Sequence, residues 1–450
     1  MSTGVAANSE RMMKKERRLT RGIAACFLAL VIFLSATLTT IRDQTRSYSN
    51  IIGLVSWKLN YSLALSSSLQ VTRPKRSITC DCSHKSYDLC SINGPTALDP
   101  VASTLSLIDP TNSTPPNFIV KTHPYPRKLD AAAASRVKEL ILTSSPPKFP
   151  CGVAHKSPAL VFSTGGYTGN FFHEFSDGFI PLYITINSFF PDQDVILVIT
   201  NWKSWWARKY ADLLPHFTRH PIINMDNQIT TTHCFPSATV GLVKHGHMAV
   251  DPTSLPHPKT LLDFQQLLKK AYYNQGDDDH VLMSNKSTAS ARPQLVLANR
   301  KGNVGRVIWN LKEVIMAIKK VGFNVIVFEP KADTPLVNSF RLIHESHALV
   351  AVHGAAITHL LFQRPGAVLA GILGLNYMKY EIGVEESSLA DKLYGTNDLV
   401  LKDPEAFVGK NWTKARVYLK TQNVKLDIVR FRGFLKKAFK KAKRFMAKEG

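Results

Sequence analysis

Residues Ala159–Ile186 read ALVFSTGGYTGNFFHEFSDGFIPLYITI, and this stretch decides the fold class. Leu160–Phe162 is a short apolar run of the kind that forms a buried strand. Gly165-Gly166-Tyr167-Thr168-Gly169 can only be a tight loop, and apolar residues then recur at helical spacing. The reading is strand, glycine loop, helix. Asn170 stands where an N-cap belongs, and Phe171, Phe175, Phe179, Leu182 and Ile186 give the predicted helix one apolar face. Off that face, His173 and Asp177 lie one turn apart, so an imidazole and a carboxylate meet beside the glycine loop and can share a proton. Taken alone, the pair reads more readily as a stabilising hydrogen bond of the first helical turn. The rest of the chain favours a site.

Working outward, strand-like and helical runs alternate. Asp194–Thr200 reads as a strand, Ser204–Leu214 as a helix, Cys234–Val243 as a strand and Thr260–Tyr273 as a helix. After Gly276–His280 (GDDDH), which reads as a solvated joint between domains rather than a metal motif, the alternation resumes. Gln294–Ala298, Phe323–Phe328, Ala348–Val352 and Ala367–Ile372 are predicted strands; helices are expected around Leu311–Ile318, Pro335–Glu345 and Ile357–Phe362. Such alternation specifies an α/β, doubly wound pattern, in which ligands gather at the carboxyl ends of the strands. Two loops fall at such ends. One holds Arg300, Lys301 and Arg306, and the other is His353-Gly354-Ala355-Ala356, whose small residues let a phosphate approach a helix N-terminus. Together they suit a diphosphate.

The 450 residues exceed what one hydrophobic core usually holds, and 44% hydrophobic content supports a globular body. The formal net charge of +23 suggests a nucleic-acid partner at first sight, but the first forty residues argue against it. Arg11, Lys14, Lys15, Arg17, Arg18 and Arg21 precede Gly22–Ile41, an uncharged and mostly apolar run; about 20 such residues cross a bilayer core as a helix. The positive-inside rule then leaves residues 1–21 cytosolic and the body on the far side of the membrane. A cleaved secretory signal is the alternative, with Ser35-Ala36-Thr37 the nearest cleavage site, and it places the body in the same compartment. Four N-x-S/T triplets, at Asn60, Asn112, Asn285 and Asn411, agree with that compartment. So do Cys80, Cys82, Cys90, Cys151 and Cys234, for which disulfides are expected with one thiol left over; zinc is the weaker reading of the Cys80-x-Cys82 cluster. Residues 42–150, rich in Ser, Thr and Pro, read as a stem and N-terminal extension. The expected body comprises 151–275, a 276–292 linker and 293–425, and the interleaved lysines of 426–450 form a basic amphipathic helix. Its plain reading is one face on the core and lysines in solvent; its sharper one is attraction to an acidic polysaccharide or membrane surface.

The segments GGYTGNFFHEFSDGFIPLYI, ANRKGNVGRVIWN, AVHGAAITHLLFQRPGAV, EESSL and YLKTQNVKLDIVRF together resemble glycosyltransferase family 61, in its grass-enriched plant clade of xylan side-chain transferases. The resemblance runs from about Cys80 to the end. It implies a GT-B architecture of two facing Rossmann-like domains and Golgi type II membrane topology. It further implies inverting transfer of arabinofuranose or xylose from a UDP-sugar to xylan, with no cofactor and no required metal. It places the acid–base pair on His173 and Asp177; Glu174, between them in the sequence, is this reading's own weaker candidate for the base. It places the donor site on Arg300, Lys301, His353, Gly354 and Ala355 and on the acidic pair Glu385 and Glu386, to which the loop reading above adds Arg306 and Ala356. A complex with other Golgi transferases fits the same picture, and nucleic acid does not. Two departures stand out. Ala356 replaces a glycine common in the family, and the segment between Val368 and Glu385 is short, which leaves a non-catalytic scaffold as the rival reading.

Overall fold

The computed structural model describes residues 76–108, 118–227, 231–273, 292–302, 304–372, 378–390, 397–409, 411, 414 and 416–448. The expected membrane anchor, the proximal stem, the GDDDH joint and the triplets at Asn60, Asn112 and Asn285 lie outside them. Asn411 is described and exposed. Among the described residues no helix is long and apolar enough to cross a membrane.

The Ala159–Ser163 strand is central to a six-stranded sheet ordered Ser77–Asp81, Leu89–Asn93, Ala238–Val240, Ala159–Ser163, Ile196–Thr200, Ile223–Asn224. Its last four strands run parallel. Every residue of Ala159–Ser163 and of Ile196–Thr200 is buried, because both faces of the sheet are covered. Strand residues alternate between the two covers. Leu160, Phe162, Leu197 and Ile199 pack among helices. Ala159, Val161, Ile196 and Val198 instead pack against Leu98, Leu105, Leu140 and Leu142 of a second sheet.

That second sheet corrects the expected stem. Its six strands, ordered Ile119–Thr122, Leu140–Thr143, Thr104–Leu107, Thr96–Asp99, His233–Phe235, Val153–Ala154, come largely from residues assigned to 42–150. The folded body therefore begins by residue 76 rather than at 151, and the first lobe has a sheet on one face where helices were expected. The predicted Cys234–Val243 strand is in fact two strands. His233–Phe235 lies in the second sheet and Ala238–Val240 in the first, with Pro236 at the crossing. Disulfides Cys80–Cys90 and Cys151–Cys234 tie an antiparallel pair and an edge strand, leaving Cys82 as the exposed free thiol.

The second lobe follows the sequence more closely. Five parallel strands are ordered Asn324–Phe328, Gln294–Ala298, Ala348–Val352, Val368–Ile372, Met378–Tyr380. The order reverses between Gln294–Ala298 and Ala348–Val352, the topological switch point of a doubly wound sheet. Leu295, Leu297, Val350 and Val352 face the helices Leu311–Val321 and Ile428–Lys448. The latter buries Phe431, Leu435, Ala438, Ala442 and Phe445 and leaves its lysines in solvent, as the plain reading of the basic tail expected. Val296, Ala298, Leu349 and Ala351 face the other way, into the same apolar cluster as the first lobe's helices. The lobes thus share a core, in which Phe175, packed edge-on against Phe264, meets Phe362 from the other side.

The short segment noted above has a structural counterpart. Val368–Ile372 and Met378–Tyr380 are parallel neighbours, yet only residues 373–377 separate them. A parallel crossover ordinarily takes about a dozen residues or more, usually as a helix.

Candidate functional site

Two groups of polar side chains lie at strand carboxyl ends, one in each lobe. In the first, Asn170 caps the helix as expected, its side chain accepting from the Phe172 N–H. The helix is not regular: Phe171–His173 is α-helical, Glu174–Phe179 is a π turn, and Ile180–Phe189 returns to α. Such turns recur at functional sites. His173 Nδ1 lies 2.6 Å from Asp177 Oδ2. Asp177 is fully buried, and two cations that the sequence reading missed also hold it. Arg127 Nε donates to Oδ2 at 2.7 Å, and Lys244 Nζ, itself buried, donates to Oδ1. Lys244 follows the Ala238–Val240 strand, so neighbouring strand ends converge on one carboxylate.

Burial alone would raise the pKa of Asp177. The hydrogen bond from His173 and the charges of Lys244 and Arg127 outweigh it and bring the carboxyl down to about 2. With both oxygens engaged and so little basicity, Asp177 is not the proton acceptor. It orients the ring instead: an ionised carboxylate against Nδ1 places the ring proton there and leaves the lone pair on Nε2. Among the described residues no hydrogen bond occupies Nε2, so His173 is the group that can take a proton. Glu174 is turned inward. It is buried, accepts from the Gly169 N–H at 3.0 Å, and burial raises its pKa despite nearby Lys209.

The second group sits at the switch point. Ala298 and Ala351 are register partners, so the loops after them are neighbours. They bring Arg300, Arg306 and His353 together around Gly354, whose φ of 143° suits glycine; a Cβ there would lie 2.7 Å from Arg300 Nη2. Arg306 Nη1 donates to the His353 carbonyl at 3.4 Å. Its backbone is left-handed at φ 63°, a conformation costing about 1–3 kcal/mol outside glycine. It is held by an N–H bond to Gln422 O at 2.6 Å, with Val424 N–H to Val307 O at 2.9 Å beside it. The YLKTQNV segment therefore pins the basic loop.

Among the described residues no carboxylate pairs with Arg300 or Arg306, and Arg306 Nε and His353 Nδ1 are buried without a partner. Burial, then the Arg300 charge, lowers Arg306 to about 10; burial, then both arginines, lowers His353. Two half-buried like charges without an acid form a cradle for an anion. Ala355–Phe362 follows as a 3-10 helix, with Ala356 packed on the shared core. Lys301 is not in the cradle: it is exposed and pairs with Glu329 at 2.5 Å.

The acidic pair is also corrected. Glu385 is exposed, and Glu386 is buried with both oxygens committed to structure. Oε1 accepts from Tyr380 OH and the Asp427 N–H, each at 2.6 Å, and Oε2 from the Gly383 N–H and Arg430 Nη1, each at 2.5 Å. It staples the last helix to the sheet.

The two groups are linked through packing. Phe171, two residues before His173, stacks on His359 with ring centroids 4.4 Å apart, and His359 lies on the helix that starts beside Gly354. Among the described residues no cluster of His, Cys, Asp and Glu gathers as a metal-holding group.

Residues 170–370 match the family described as Glycosyltransferase 61. The chain is 34% identical over 410 residues to the xylan glycosyltransferase MUCI21 of Arabidopsis thaliana, covering 83% of this chain and 82% of that protein. It is 31% identical over 382 residues to the alpha-1,3-arabinosyltransferase XAT3 of Oryza sativa subsp. japonica, covering 80% and 64%. To the beta-1,2-xylosyltransferase XYXT1 of the same organism it is 29% identical over 402 residues, covering 81% and 84%. The chain belongs to glycosyltransferase family 61. Among solved structures, the heptosyltransferase TibC covers 83% of this chain at 12% identity and a TM-score of 0.32, too slight a likeness to bear on the fold.

Proposed function

We propose that this chain transfers a pentose from a UDP-sugar to xylan, with inversion at the anomeric carbon. The carrying observation is the open Nε2 of His173, its ring fixed by a buried Asp177 at the end of a parallel strand. In one step, Nε2 takes the proton of an acceptor hydroxyl as that oxygen bonds to the anomeric carbon. The bond from that carbon to the donor phosphate breaks, and its electron pair stays on UDP. Arg300, Arg306 and the backbone at Gly354 would hold the diphosphate and meet the growing charge, the work a metal ion performs elsewhere. The two lobes then correspond to the halves of a GT-B transferase, with acceptor chemistry on the first and the donor on the second.

Arabinofuranose in 1,3-linkage is the first choice of sugar, and 1,2-linked xylose the second; relatives named for each stand at similar identity. The N-terminal segment supports Golgi type II anchoring, with the body and its glycosylation triplets in the lumen and room for a complex with other transferases. Full-length protein incubated with UDP-arabinofuranose, UDP-arabinopyranose, UDP-xylose and xylo-oligosaccharides tests this reading. A pentose added to the backbone, identified by mass and linkage, is expected; no transfer from any of the donors would sink it.

The scaffold reading rests on the abbreviated connection at 373–377, and UDP binding separates the two. Calorimetry is expected to detect UDP, with Arg306→Ala weakening it roughly 10–100-fold, the value of one charge-assisted bond. Gly354→Ala should weaken UDP comparably, because its methyl displaces first Arg306 and then Arg300. A protein that binds no UDP is a scaffold.

A further inference from the structure

The run Phe171-Phe172-His173-Glu174-Phe175 uses two of its three phenylalanines in the shared core. Phe171 stacks on His359 and Phe175 is fully buried, whereas Phe172 is only half-buried. Its ring neighbours are His173, edge-on at 5.2 Å, and His247 at 6.2 Å. Leaving such a ring at a rim forgoes part of the stabilisation that full burial would supply. His247 is exposed on a turn that is nevertheless fixed: Met248 takes a φ of 52° and packs against the core, and His245 Nδ1 accepts the Asp251 N–H at 2.9 Å.

We infer that Phe172 and His247 form a sugar-binding platform beside His173, taking a neutral pyranose chain such as the β-linked xylopyranose backbone. The inference rests on the proposed acceptor and names the residues that receive it. A pyranose ring offers a face of axial C–H groups that packs on an aromatic face, while its equatorial hydroxyls point outward along the edge. Phe172 supplies the face, in edge-on contact with the His173 ring.

His247 supplies the edge. Its Nδ1 lies 3.4 Å from the buried Ser176 hydroxyl; when that hydroxyl donates, Nε2 carries the proton and can donate to a sugar oxygen. The groups facing this ring are Lys244, Arg127, Asp177 and His173. Desolvation, then the Lys244 and Arg127 charges, holds it below the usual histidine pKa and so uncharged, which suits a neutral ligand. The Tyr167 ring also stands 4.7 Å from His173, its hydroxyl bound to Asp130 at 2.9 Å and Arg127 at 5.4 Å over its ring.

The test uses full-length protein with xylohexaose and cellohexaose as probes, each titrated by calorimetry and each assayed as acceptor. Phe172→Ala should weaken oligosaccharide binding and raise acceptor KM about tenfold or more, a difference of roughly 1.4 kcal/mol. Donor KM and melting temperature should hold, and Phe172→Trp should restore binding. His247→Ala should raise acceptor KM severalfold. The platform is judged on whichever oligosaccharide the wild type binds, and the xylan reading on xylohexaose alone. Binding and acceptor KM within twofold of wild type in both alanine variants would overturn the platform while leaving the transferase reading intact. A wild type that binds neither oligosaccharide overturns both.

Discussion

His173→Ala is expected to lower transfer by ~10²–10⁴-fold, the usual contribution of a general base, while UDP affinity stays near wild type and the melting temperature falls modestly, because the buried Asp177 loses one of its three partners and keeps Arg127 and Lys244. The reasoning is geometric. His173 is only partly buried, no buried group depends on its Nε2, and the Arg300–Arg306 cradle belongs to another sheet. Single-turnover measurements with saturating donor would isolate the chemical step. Turnover within threefold of wild type would remove His173 from the reaction and leave Asp177 a purely structural carboxylate.

Asp177→Asn should act on both activity and stability. A neutral amide cannot hold the proton on Nδ1, so the ring loses its fixed tautomer; a loss of about 10⁴-fold in turnover is the scale seen when an orienting carboxylate is removed from a catalytic histidine. The same change leaves Lys244 buried without its counter-charge. Breaking a buried pair on one side costs about 3–5 kcal/mol, so a melting temperature lowered by several degrees is expected alongside the kinetic loss. Lys244→Met in the same background should recover part of that stability without recovering turnover. That dissociation separates the two consequences. The pH dependence follows the same logic. A carboxyl brought down to about 2 when folded contributes stability that is complete above the ordinary aspartate range near pH 4 and is lost as pH falls toward 2. The Asp177→Asn variant should show a flatter acid limb in urea titrations between about pH 5 and 2.

The second lobe was legible in the sequence for a physical reason. Parallel strands covered on both faces appear as unbroken apolar runs, and QLVLA and ALVAV are such runs with a loop and a helix after each. The first lobe's outer sheet was not legible, since Thr96–Asp99, Thr104–Leu107 and Leu140–Thr143 are four-residue strands separated by ordinary turns. His173 and Asp177 could be paired because i and i+4 is a local relation. Arg127 and Lys244 reach the same carboxylate from 50 and 67 residues away, and nothing in their own neighbourhoods marks them. Lys301 and Glu386 show the converse: charged residues inside conspicuous segments that fold into pairing and stapling duties.

The aromatic core common to both lobes bears on how turnover proceeds. Swinging the halves apart as rigid bodies would bring Phe175, Phe264, Tyr272, Phe340 and Phe362 into water, at roughly 1.5–3 kcal/mol for each ring. A jaw-like cycle is therefore too costly to repeat at every catalytic event. On the proposed reading, nucleotide exchange falls instead to local rearrangement of the basic loop, where nothing lies within 4 Å of an added Cβ at Gly302, while the bulk of the molecule stays still.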